Sequence, residues 1–153
     1  MFDQNKPWKA NSLTAFFGGL FGVTVLFVLS YLIFNVAHFK NPFSSTFWGI
    51  FFSILILNSF IEEGTKFLLI KKNIGQFPYG FLLGFGFGMG ETILKYPFSE
   101  FGAVPIRRSG AILLHIITAG IICYFIKKNK PILGFLIAIT LHTGFNLIVN
   151  WAV

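Results

Sequence analysis

Charge is scarce in this chain. Of 153 residues only 11% are charged, and five are acidic: Asp3, Glu62, Glu63, Glu91 and Glu100. The one aspartate excludes a protease built on a pair of intramembrane aspartates. The one cysteine, Cys123, allows no internal disulfide and reads as a small hydrophobe within an apolar run. No HExxH string places two histidines around a glutamate, which excludes that class of zinc protease, and no phosphate-cradling glycine loop occurs. Twelve Lys and Arg give a net charge of +7, but apart from Lys66 they sit at the ends of apolar runs and form no basic stripe with exposed aromatics. Nucleic acid is therefore not expected as a partner.

Apolar residues are abundant. They make up 55% of the chain, with 22 Phe, and the mean hydropathy is +0.76, which excludes an ordinary water-soluble globule. A hydrocarbon core of about 30 Å is crossed by roughly 20 helical residues. Five runs fit: 13–37, 47–70, 79–94, 109–126 and 131–151. The sequence thus predicts one all-α domain over 1–153, a polytopic bundle of about five transmembrane helices with no separate aqueous domain. The first run is too long for a signal-peptide core and is read as a retained helix, with Gly18 and Gly22 spaced for close helix approach. Gly84, Gly86, Gly88 and Gly90 mark the third run for close packing, and Lys127-Lys128-Asn129-Lys130 joins the last two as an antiparallel hairpin. The stretch from Lys95 to Arg108, with Pro97 and Pro105, is the longest connection expected. An inner side holding Lys6, Lys9, Lys71, Lys72, Lys127, Lys128 and Lys130 gives an N-in, C-out orientation, in an integral multi-pass protein of the cell membrane.

Against that background, Glu62, Glu63, Glu91, His115 and His142 all fall inside expected spans. An ionisable group costs about 2.5 to 3.5 kcal/mol at a helix centre, so such residues face a protein interior or a wet cavity. At about 1.5 Å rise per residue the five lie roughly 10 to 20 Å from the inner end, near enough in depth to share one pocket. Neighbouring helical residues diverge by about 100°, so one of Glu62 and Glu63 faces the cavity while the other takes a structural partner. Lys66, one turn on, can neutralise one of them. His142 and Asn146 share one face of the last span. Taken singly, each of these polar residues also reads as interhelical glue.

A serine mechanism is disfavoured, because Ser109-Gly110 lacks the framing of a rhomboid-type nucleophile. A carboxylate withdrawn from water is a stronger base, which suits activation of a water. Two histidines with one or two glutamates also make a first shell for zinc with an open position. Both routes lead to hydrolysis. Membrane glutamates and histidines also build proton relays, so a small proton-coupled transporter is an alternative, as is a catalytically silent membrane scaffold.

In order along the chain the motifs are Glu62-Glu63-Gly64-Thr65-Lys66 (EExxK), Gly84, Phe87 and Glu91 (GxxFxxxE), Arg108 seven residues before His115, and His142 with Asn146 (HxxxN). Together they resemble the PrsW family of intramembrane proteases, related to the CAAX prenyl endopeptidase and bacteriocin-processing group. EExxK is nearer PrsW than the EExxxR of the wider group; position 67 is Phe67. Thr92 follows Glu91 where the family often has Asn, and Ala111 stands where the wider group often has Phe. The resemblance implies an endopeptidase that hydrolyses a peptide bond of a membrane protein or membrane-anchored peptide, working alone, as an oligomer or with an accessory subunit. It implies Glu62 as the water-activating base, supported by Glu63, Lys66, Glu91 and Arg108. His115 would share the water, and His142 with Asn146 would stabilise the oxyanion. In a metal-dependent version, His115, His142 and Glu91 would hold zinc.

Overall fold

Without water to bond to, a backbone in lipid must satisfy its own N–H and C=O groups, and a helix does so within one segment. The computed structural model describes residues 8–31, 59–72, 77–95 and 105–151. Among these there are five helices and no strand: α1 (Trp8–Tyr31), α2 (Ile61–Lys72), α3 (Phe77–Lys95), α4 (Pro105–Lys127) and α5 (Pro131–Trp151). A wide π-type turn at residues 59–60 leads into α2. Residues 32–37 and 47–58 of the first two expected spans, and the side chain of Arg108, lie outside the described residues.

Three helices are long and apolar enough to cross a membrane, over Ser12–Leu29, Ser109–Lys127 and Pro131–Val149. Their outward faces carry Phe17, Phe21, Leu113, Ile132 and Ile148, all more than half exposed, as lipid-facing residues would be. α2 and α3 are not among the three. α2 is described over 12 residues and carries Glu62, Glu63 and Lys66, and α3 carries Glu91 and Lys95.

Glycine places α3 at the centre, packed against α1 on one side and α4 on the other. A Cβ on Gly80 would lie 2.8 Å from Cys123 Cβ, and one on Gly84 would collide with the His115 carbonyl; both glycines face α4. Gly86 faces the Phe16 carbonyl on α1, and Gly19 of α1 faces the Leu83 carbonyl in return. The close approach on α1 is thus at Gly19, since a Cβ at Gly18 would meet nothing within 4 Å. Leu83, Ala119, Ile122, Cys123 and Ala138 fill the core between α3, α4 and α5.

α4 begins at Pro105, a residue well suited to the first helical position because its missing N–H would be unpaired there anyway. The expected 95–108 connection is accordingly shorter at its C-terminal end. α4 ends in a Schellman closure: Lys130 N–H donates to Phe125 O at 2.9 Å and Asn129 N–H to Ile126 O at 3.0 Å, with Asn129 at φ 57°. Pro131 then opens α5, which folds back on α4 as the hairpin expected from the four-residue link.

Candidate functional site

The first turn of α2 sets Glu62 and Glu63 on diverging directions, and the two carboxylates have different fates. Glu63 is fully buried, and its Oε1 accepts from Lys66 Nζ at 2.5 Å, His142 Nδ1 at 2.7 Å and Thr118 Oγ1 at 3.1 Å. Lys66 is fully buried as well and also reaches Thr118 Oγ1 at 2.8 Å and His115 Nδ1 at 3.0 Å. An ammonium has three protons, and these three acceptors match them. The Phe87 ring lies beneath, 5.2 Å from Lys66 Nζ and 5.1 Å from the His115 ring, a distance at which a ring face attracts the cation.

Glu62 has no such neighbour. Its Oε2 is buried and, among the described residues, has no hydrogen-bond partner. It lies 3.9 Å from His115 Nε2 and 3.8 Å from His142 Nε2, too far for direct hydrogen bonds and close enough for one bridging water. The two imidazoles stand edge to face with centroids 5.1 Å apart. His115 comes from α4 and His142 from α5, so three helices supply this gap. The same His115 Nε2 lies 2.5 Å from Glu91 Oε2, and Glu91 is paired in turn with Lys95 one turn along α3. Gly84 and Gly88 hold α3 against α4 at this level; a Cβ on Gly88 would lie 3.3 Å from His115 Cδ2.

The structure therefore brings Glu62, Glu63, Lys66, Glu91, His115 and His142 into one buried cluster. Asn146 follows His142 by one turn of α5 and is partly buried; Arg108 lies on α4 seven residues before His115. The sequence reading missed Thr118, which bridges Lys66 and Glu63. The available signal was its spacing, three residues beyond His115 and so on the same face of α4. Buried and without a hydrogen-bond partner among the described residues are also Glu63 Oε2, Ser59 Oγ, one turn before Glu62, and Thr143 Oγ1, beside His142.

One atom each from Glu62, His115 and His142 lie within 4.8 Å of one another, a grouping that invites a test for a metal ion. The fit to zinc is poor. Ligands at about 2.0 to 2.1 Å around a tetrahedral ion stand roughly 3.3 Å apart, closer than the 3.8 and 3.9 Å here. His115 Nε2 is also engaged by Glu91. In the set of His115, His142 and Glu91, two members are bonded to each other. A water hydrogen-bonded to these atoms would stand at about 2.8 Å from each, a longer reach than zinc allows. No family model, curated protein or solved structure gives a significant match to this chain.

Proposed function

We propose that this chain is an intramembrane endopeptidase of the PrsW-like type, hydrolysing a peptide bond of a membrane protein or membrane-anchored peptide without a resident metal. The observation that carries the reading is Glu62 Oε2: a buried carboxylate oxygen, unpartnered among the described residues, facing two imidazole nitrogens at 3.8 and 3.9 Å. Glu63 also has an unpartnered Oε2 among the described residues, but its Oε1 is held by Lys66, Thr118 and His142; Glu62 differs in facing two imidazole nitrogens, where it is placed to take a proton from a water. That water's oxygen adds to the scissile carbonyl carbon as its proton passes to Glu62. The carbon–nitrogen bond then breaks, and Glu62 returns the proton to the leaving amine. Asn146 is assigned to the oxyanion, as the resemblance implies.

The protein is placed in the cell membrane as a multi-pass protein, N-in and C-out, with about five spans. Its enzymatic character is tested by incubating purified protein in nanodiscs with single-span reporters in water enriched in oxygen-18. Discrete fragments bearing one solvent oxygen at the new carboxyl are expected; intact reporters across a broad panel would contradict the proposal.

A second reading draws on the chain of contacts Lys95, Glu91, His115, Lys66, Glu63 and His142, which has the continuity a proton relay uses. It requires proton flux in liposomes that survives Asn146→Ala, whereas the peptidase reading requires none.

A further inference from the structure

Inside lipid an unwound stretch of chain has no water to bond to, so protein must meet its N–H and C=O groups. Besides one oxygen each of Glu62 and Glu63, two buried side-chain atoms have no hydrogen-bond partner among the described residues: Ser59 Oγ and Thr143 Oγ1. Such groups are few in native proteins, and each asks for an explanation. A helical threonine can satisfy itself by donating to the carbonyl four residues back. Thr24, Thr65, Thr92 and Thr140 do so at 2.8 to 2.9 Å, and Thr118 is bonded to Lys66 and Glu63. Thr143, only 6% exposed, makes no such bond.

Ser59 is fully buried in the turn before α2, three and four residues ahead of Glu62 and Glu63, which puts it on the side of the helix that carries them. Thr143 follows His142 directly and stands three residues before Asn146, so Thr143 and Asn146 share a face of α5. Contacts of Glu63 with His142 and of Phe67 with Phe135 make α2 and α5 antiparallel. The steps from Glu63 back to Ser59 and from His142 on to Asn146 therefore lead in one direction, away from the Phe67–Phe135 contact. The two hydroxyls border the same side of the gap from two helices.

We infer that Ser59 and Thr143 form a subsite for the main chain of an unwound substrate segment beside the bond that is cut. This rests on the peptidase reading, in which the substrate opens at Glu62 and Asn146. Opening a substrate helix there leaves amide groups with no partner in lipid. A hydroxyl both donates and accepts, so it can meet either an N–H or a C=O. It reads no side chain, so the ligand class is an extended polypeptide backbone. Glu62, His115, His142 and Asn146 keep the roles given above, and the two hydroxyls hold the substrate without taking part in proton transfer. In the free protein an unpaired buried hydroxyl opposes folding. Removing it is therefore expected to leave stability unchanged or raised while binding weakens, the reverse of what a structural hydroxyl such as that of Thr118 would show.

The test uses the full chain in nanodiscs, carrying Glu62→Gln so that nothing is cut. The probe is a fluorescent single-span peptide of leucine and alanine with a central glycine pair, which unwinds easily. Ser59→Ala and Thr143→Val are each expected to weaken its binding at least about fivefold, at an unchanged or higher melting temperature. Thr143→Ser, which keeps the hydroxyl, and Thr140→Val, whose hydroxyl serves its own helix, are expected to bind as the parent does. When each amide of the peptide is replaced in turn by an ester, which removes one N–H, the penalty at a position beside the glycines is expected to vanish in one of the two weakened variants. With Glu62 restored, cleavage of a reporter by those variants is expected to show a raised KM and a kcat within about threefold of wild type. No binding of the peptide, equal affinity across the variants, or a lowered melting temperature for Thr143→Val would overturn the subsite. Absence of cleavage by the wild type would instead count against the peptidase reading, with the subsite still decided by binding.

Discussion

Lys66 is the residue on which the buried charge balance turns. It is fully enclosed with Glu63, and removing one partner of such a pair leaves the other without compensation. Lys66→Met is therefore expected to destabilise the protein by about 3 to 5 kcal/mol, measured by thermal unfolding in detergent. Thr118→Val removes a bridging hydroxyl and is expected to cost about 1 kcal/mol, the scale of an interhelical hydrogen bond in membranes. A third expectation follows from the donor set: 1,10-phenanthroline and EDTA leave the cleavage rate of the purified protein unchanged. A loss restored by added zinc would show that a metal displaces the Glu91–His115 contact after all. Much at this scale could be read in advance. Scarcity of charge singled out the carboxylates and histidines, and the 100° step between neighbours separated Glu62 from Glu63. Which glutamate takes Lys66 could not be read, because i+3 and i+4 are both within reach. Thr118 was hidden because a threonine in an apolar helix carries no cost that draws attention to it.

Among the elements, α3 decides whether the cluster assembles, since its glycines let α1 and α4 approach from two sides. Gly84→Ala directs a methyl at the backbone carbonyl of His115, which no side-chain rotation can relieve. It is expected to cost about 1 to 3 kcal/mol, the scale of overpacking, and to lower activity by moving His115 away from Glu62. Gly18→Ala, with nothing within 4 Å, is the control and is expected to leave both unchanged. Equal effects of the two would mean that close packing at Gly84 is not what sets the site. Clustered glycine announced tight packing in the sequence. It could not assign each glycine to a neighbour, because that depends on how far α3 is rotated about its own axis. The hairpin between α4 and α5 was legible from a short basic link, but the Pro105 start of α4 was not, since proline reads equally as a connection and as a first helical residue.

At the scale of the molecule, the all-helical character of the described residues and the apolar helices follow from composition. The number of spans depends on residues 32–58, which lie outside those described, and on α3, which is not among the three helices apolar enough to cross. Orientation is open to a direct check. In a Cys123→Ala background, Lys128→Cys is expected to react with a membrane-impermeant maleimide only from the cytoplasmic side; labelling of intact cells from outside would reverse the assignment. The cluster itself joins α2, α3, α4 and α5, so no segment of the chain carries the chemistry alone. The central claim is that one carboxylate in this buried gap activates the water, and the most direct measurement is the single-turnover cleavage rate of Glu62→Gln beside wild type. At an unchanged melting temperature, the rate is expected to fall at least about 100-fold. A rate within a few-fold of wild type would show that Glu62 is not the base.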